Sequence, residues 1–182
     1  MQKIFFLLLF SFLLFVSCNN KTDSTEQELK PFFDLKKYFI EQENLLASKE
    51  FRLQKQITKD GKSEEKVFTN VDWQRELKPF AECDINKPSW IYSYSADTIF
   101  TKSGMEIKYI SKDLSLPVKQ IDLIFENTVL TRMDIHKESA NSYYRSTNNY
   151  IFEPQKGFSI DGSQEVVLAE KTNYSITAKF LK

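Results

Sequence analysis

The sequence predicts an α+β protein, with an N-terminal helix packed on an antiparallel, curved β-meander and one further short helix. Three observations predict it. Between residues 31 and 48, apolar side chains recur at spacings of three, four and seven. From Phe51 onward the apolar period switches to two. Turn signals then divide the chain into nine strand-like runs, most alternating in polarity, as in an antiparallel sheet with one wet face.

The first eighteen residues belong to a different kind of element. Lys3 leads into thirteen residues, 4–16, that are apolar except for Ser11, followed by Ser17 and Cys18. The charge, the apolar length and the small residue at the cut describe a secretory leader. Thirteen helical residues rise about 20 Å, too little for a hydrocarbon core of about 30 Å. Phe15-Val16-Ser17-Cys18 resembles the lipobox of bacterial lipoproteins, with Phe15 where leucine is usual. The resemblance implies a thioether-linked diacylglycerol on Cys18 and a new N-terminus there; the alternative is an ordinary cleaved leader with a free cysteine. The expected organisation is a signal peptide over residues 1–17, an anchor and polar tether over 18–28, and a single domain over 29–182.

Residues 19–27 carry no large apolar side chain and form the tether. Fully extended, such a stretch reaches about 30 Å. Asp23-Ser24-Thr25 and Asp97-Thr98-Ile99 resemble the short acceptor for O-glycosylation in Bacteroidetes, which would place sugars on Ser24 and Thr98. Asn19-Asn20-Lys21-Thr22 lacks the acidic cluster that resembles a surface-export signal of that phylum. The expected location is therefore the outer membrane, facing the periplasm.

The helix carries Leu29, Phe32, Phe33, Phe39, Ile40 and Leu46 on one broad face. Thr25 with Glu28 forms a possible capping box, but Pro31 opposes a start that early, so the secure helix spans 31–48. Phe51, Leu53 and Ile57 then alternate up to Asp60-Gly61, a strong hairpin signal. The return strand, 64–71, is charged and short, as suits a sheet edge. Asp72 caps a short helix in which Trp73, Leu77, Phe80 and Ala81 share a face and which Pro79 bends or shortens.

The remaining strands are expected at 90–100, 105–111, 121–125, 129–135, 143–153, 158–169 and 174–181. In the last of them Tyr174, Ile176, Ala178 and Phe180 share a face. Together, Glu28-Leu29-Lys30-Pro31-Phe32-Phe33-Asp34-Leu35, Asp72-Trp73 and Asp84-Ile85-Asn86-Lys87-Pro88-Ser89-Trp90 resemble small uncharacterised lipoproteins of Bacteroidetes. That resemblance implies a location and a fold, and no activity.

Composition narrows the chemistry. The 25 basic and 25 acidic side chains balance and are interspersed, so no basic surface for nucleic acid stands out. With Cys18 lipidated, Cys83 has no thiol partner for an internal disulfide. Four glycines in no phosphate-binding pattern leave no nucleotide cradle. One histidine, and carboxylates without paired spacing, give no zinc set, and no cofactor is expected. Cys83 and His136 form a conceivable thiol–imidazole pair, but a cysteine ending an amphipathic helix packs as a small hydrophobe, and His136 is out of phase with Ile135. No catalytic residues are assigned and the chain is read as a non-enzyme.

Aromatic residues supply the binding candidates. Trp90, Tyr92 and Tyr94 alternate, and Tyr143, Tyr144, Arg145, Asn148, Asn149 and Tyr150 make a Tyr/Asn-rich strand. Trp90, Tyr92, Tyr94, Tyr144 and Tyr150 are the candidate surface residues for stacking on a sugar or a protein. Large amphipathic rings also simply suit a half-buried strand. Two functions follow. One is an anchored binding module for an envelope protein or glycan. The other is a carrier holding a lipid or lipoprotein acyl chain between helix and sheet.

Overall fold

The structure, a computed structural model, describes residues 30–182. The leader, Cys18, Ser24 and the Thr25–Glu28 pair lie outside the described residues. Nine strands form one antiparallel sheet: β1 (Arg52–Lys59), β2 (Lys62–Phe68), β3 (Tyr94–Phe100), β4 (Gly104–Ser111), β5 (Val118–Glu126), β6 (Val129–Ala140), β7 (Tyr144–Glu153), β8 (Gly157–Val166) and β9 (Thr172–Leu181). Two helices, α1 (Leu35–Ser48) and α2 (Trp73–Ala81), complete the α+β architecture.

β3 to β9 run up and down, and the β1–β2 hairpin joins beside β9, giving the order β2-β1-β9-β8-β7-β6-β5-β4-β3. The charged β2 is an edge, as its sequence suggests, and β3 is the other. Eight inter-strand gaps of about 4.8 Å separate them, so the chain between β2 and β3 must travel about 38 Å. α2 and residues 82–93 make that journey over one face. Phe80 of α2 meets Tyr150 of β7 at 5.6 Å and Phe158 of β8 at 5.4 Å, and Trp73 meets Phe180 of β9 at 5.3 Å.

Three phenylalanines with no exposed surface close the centre. Phe39 of α1 stands 5.4 Å from Phe80 and 5.0 Å from Phe152 of β7, and Phe80 stands 5.7 Å from Phe152. The Phe39–Phe152 and Phe80–Phe152 pairs lie edge to face, which aromatic quadrupoles favour.

α1 begins four residues later than its apolar pattern suggests. Asp34 is the N-cap, its Oδ1 accepting the Lys37 N–H at 3.0 Å. The backbone before it is drawn into tertiary bonds: Phe32 N–H donates to Asn86 Oδ1 at 3.0 Å and Phe33 N–H to the Tyr109 hydroxyl at 3.2 Å. The helix ends in a Schellman arrangement. Phe51 N–H reaches Leu46 O and Glu50 N–H reaches Ala47 O, with Glu50 at φ 52° in the position glycine usually takes.

α2 starts where its sequence indicates, with Asp72 Oδ1 accepting the Arg75 N–H. The β1–β2 turn uses Asp60 at φ 48° and Gly61 at φ 80°, and the β5–β6 turn uses Asn127 and Thr128 at 47° and 70°, both two-residue turns with the twist hairpins need. Val129 is in alternating phase with buried Met133 and Ile135, yet it is exposed. A register shift between Ile124 and Phe125 inserts an extra residue in β6 at Thr131, so Leu130 turns inward in its place.

Candidate functional site

β7 organises the site. Phe152 and Tyr150 lie on the helix-covered face, and period-two alternation carries that face onward to Asn148, Ser146 and Tyr144. Cross-strand register sets the neighbours. Asn148 is opposite Lys137 of β6 and Gly162 of β8, and Gly162 is opposite Tyr174 of β9. The next row aligns Ser139, Ser146, Gln164 and Thr172. A polar shelf with tyrosines at its margins thus extends from the point where Phe80 and Tyr150 touch.

Glycine makes its central contact possible. The Tyr174 hydroxyl donates to Asn148 Oδ1 directly across Gly162. A Cβ on Gly162 would stand 2.3 Å from Asn148 Oδ1 and 2.5 Å from Tyr174 Cζ. Gly162→Ala is therefore expected to break the bridge and to destabilise by about 1–3 kcal/mol through overpacking. Urea denaturation measures this, and an unchanged midpoint would mean that Tyr174 swings aside freely.

Two further polar groups have no hydrogen-bond partner among the described residues. Ser146 and Asn148 are only 6% and 8% exposed. Among the described residues, neither the Ser146 hydroxyl nor the Asn148 amide nitrogen makes a hydrogen bond, and both atoms keep contact with solvent. Burial raises the pKa of the Tyr150 phenol. Burial, with the charge of Tyr144, raises that of Tyr174. Both phenols therefore remain protonated donors.

Cys83 packs at the end of α2 with no exposure, its Sγ 3.3 Å from the Pro79 carbonyl oxygen. Burial pushes its thiol up to about 11 against the opposing pull of the Lys137 ammonium, so it stays neutral. His136 instead places Nδ1 2.7 Å from Asn149 Oδ1 and Nε2 3.0 Å from Glu138 Oε1. It lies out of phase with buried Ile135, so thiol and imidazole do not meet. The same outward face holds the bidentate Arg132–Asp134 pair, with both bonds 2.7 Å, and Lys108–Asp122 at 3.5 Å. Partly exposed pairs of this kind contribute little. Among the described residues, no three His, Cys, Asp or Glu side chains gather as metal ligands.

The five aromatic candidates fall in different places. Trp90 and Tyr92 precede β3 in a turn, so they do not alternate with Tyr94 along a strand. The Lys87 ammonium lies 3.7 Å from the centre of the Trp90 ring, while Tyr92 is 85% exposed. Tyr94 is buried rather than a surface residue, because Phe32 packs on it at 5.9 Å and its hydroxyl donates to Val118 O at 2.8 Å. Tyr150 is likewise buried, beneath Phe80. Only Tyr144 and Tyr150 share a face of one strand. Tyr174, Gly162, Ser146 and Lys137 were missed as site residues. Nothing local marks them, since their neighbourhood arises from the register of four strands.

No protein-family model, curated protein or solved structure matches this chain.

Proposed function

We propose that the protein is a lipid-anchored envelope module that binds a glycan or another envelope protein at the shelf. The observation that carries this reading is the pair of unpartnered polar groups, the Ser146 hydroxyl and the Asn148 amide nitrogen, framed by Tyr144, Tyr150 and Tyr174. Both atoms still reach solvent, so they are open to a hydrogen bond from outside the fold. A sugar hydroxyl or a peptide backbone supplies the missing partners, and tyrosine offers apolar area with a polar tip beside them.

The carrier reading needs unfilled apolar space between helices and sheet. Ring separations of 5.0–5.7 Å among Phe39, Phe80 and Phe152 speak for a filled centre. The reading also places the domain on the periplasmic side of the outer membrane, held by diacylglycerol on Cys18, and assigns it no catalytic step.

Native and intact mass spectrometry of the chain purified from membranes, followed by glycan-array binding, tests all of this. A diacylglycerol mass that disappears in Cys18→Ser is expected, with no second lipid retained. Asn148→Leu should weaken array binding about tenfold, which corresponds to roughly 1.4 kcal/mol. A stoichiometric acyl chain that persists in Cys18→Ser would make the carrier the better reading.

A further inference from the structure

The loops at one end of the sheet carry large apolar side chains into solvent. That end comprises the β1–β2, β4–β5, β6–β7 and β8–β9 connections, together with the turn that enters β3; the β1–β2 turn, Asp60-Gly61, is polar, and the apolar tips come from the others. Leu114 is 87% exposed, Tyr143 74%, Val167 55%, and Leu168 fully exposed. Tyr143 and Val167 are joined by a backbone bond, Val167 N–H to Tyr143 O at 3.0 Å, and with Leu168 they line a groove of about 270 Å³. At the opposite end the turn residues are polar: Lys102, Ser103, Asn127, Thr128, Gln155 and Lys156. The exposed Phe100 and Val129 near that end belong to strands, not to the turns.

Isolated exposed leucines are ordinary, but Leu168 adds a backbone signal. It sits at φ 67°, a left-handed conformation that bulky residues rarely adopt and that tends to persist where function maintains it. A glycine or asparagine would take that turn without strain, and would not present an apolar tip.

The position of the tether says what the tips meet. The ring of Phe32, two residues after the first described residue, lies 5.9 Å from Tyr94 and 5.2 Å from Tyr109. Tyr94 opens β3 and Tyr109 is near the close of β4, so the chain enters the fold at the end that bears the apolar loops. Only residues 19–29 separate this point from Cys18, a span of about 40 Å at full extension. Anchoring over so short a tether confines that end of the sheet near the bilayer at high effective concentration.

We infer that Leu168, with Val167, Tyr143 and Leu114, forms a membrane-contacting tip that dips into the lipid surface and fixes the orientation of the domain. The inference rests on the anchored reading of Cys18. Charges around the tip are mixed, with Lys112, Arg145 and Lys171 beside Asp113, Glu165 and Glu170, so contact is driven by apolar insertion and not by anionic lipid. In this orientation Tyr144, at the loop end of the shelf, sits next to the membrane surface.

The test reconstitutes the full lipidated chain into phosphatidylcholine vesicles and into vesicles containing one-third phosphatidylglycerol. Leu168→Cys and Gln155→Cys variants carry an environment-sensitive fluorophore, and Cys83, being fully buried, stays unlabelled in the folded chain. The expected result is a blue shift and at least twofold quenching by brominated lipid at position 168, equal in both vesicle types and absent at 155. Wild-type melting temperature in both variants establishes that they fold. Co-flotation with vesicles but no quenching at 168 overturns the tip while leaving the anchor intact. Failure to co-float, together with a Cys18 mass lacking diacylglycerol, overturns both. Quenching only with phosphatidylglycerol replaces apolar insertion by electrostatic attachment and overturns the mechanism inferred here.

Discussion

Phe39→Ala is expected to destabilise the fold by about 3–5 kcal/mol, the range for deleting a fully buried aromatic ring. The loss has two sources. The ring has no exposed surface, so its whole apolar area returns to water in the unfolded chain. It also contacts Tyr38, Phe80 and Phe152 at 5.0–5.4 Å, bridging α1, α2 and β7, so the cavity left behind borders three elements that cannot all move inward together. Urea denaturation followed by tryptophan fluorescence measures the effect, because Trp73 belongs to the same core. An unchanged midpoint, joined to the loss of a pull-down partner, would make α1 an interaction helix instead. Phe39→Leu should recover more than half of the loss, since it leaves a smaller cavity.

Asn86→Ala is expected to cost about 2–4 kcal/mol, because buried polar groups left unpaired cost roughly 1–3 kcal/mol each. One side chain holds the chain before α1 in place. Its Oδ1 accepts the Phe32 N–H at 3.0 Å, and its Nδ2 faces the carbonyls of Phe32 and Phe33 at 3.3 and 3.2 Å. The same nitrogen reaches Asp84 Oδ1 at 3.1 Å, and both side chains are only 4% exposed. Asn86→Asp separates bonding from packing. It preserves the volume, cannot donate, and sets a second carboxylate beside Asp84, so it should be at least as damaging as alanine. Hydrogen exchange should localise early opening to the Phe32 and Phe33 amides. A wild-type midpoint in Asn86→Asp would show that the cluster contributes shape alone.

Much of this architecture was legible without coordinates because it is encoded within short windows. Period-two alternation from Phe51 onward, cut by turn residues, marks nine strands, and nine strands form the sheet. Asp60-Gly61 closes the first hairpin because few other pairs adopt positive φ at both positions, and Asp72 caps α2 because its carboxylate reaches the Arg75 amide. The charged β2 reads as an edge because unpaired strands protect themselves with charge.

Tertiary structure decided everything that depends on which segments become neighbours. An alternating strand gives the same signal whatever it pairs with, so the placement of β1 beside β9, and the passage of α2 and residues 82–93 across the sheet, could not be read locally. Asn86, more than fifty residues away, ends the helical reading of Phe32 and Phe33 by claiming their backbone. One inserted residue at Thr131 reverses the side on which Val129 lies, since a period of two turns any insertion into a change of face. Tyr94 and Tyr150 look like surface aromatics by spacing but are buried because Phe32 and Phe80 arrive over them. The shelf exists only because four strands align Lys137, Asn148, Gly162 and Tyr174 in one row, and hydrogen-bond register between distant strands is a property of the assembled sheet.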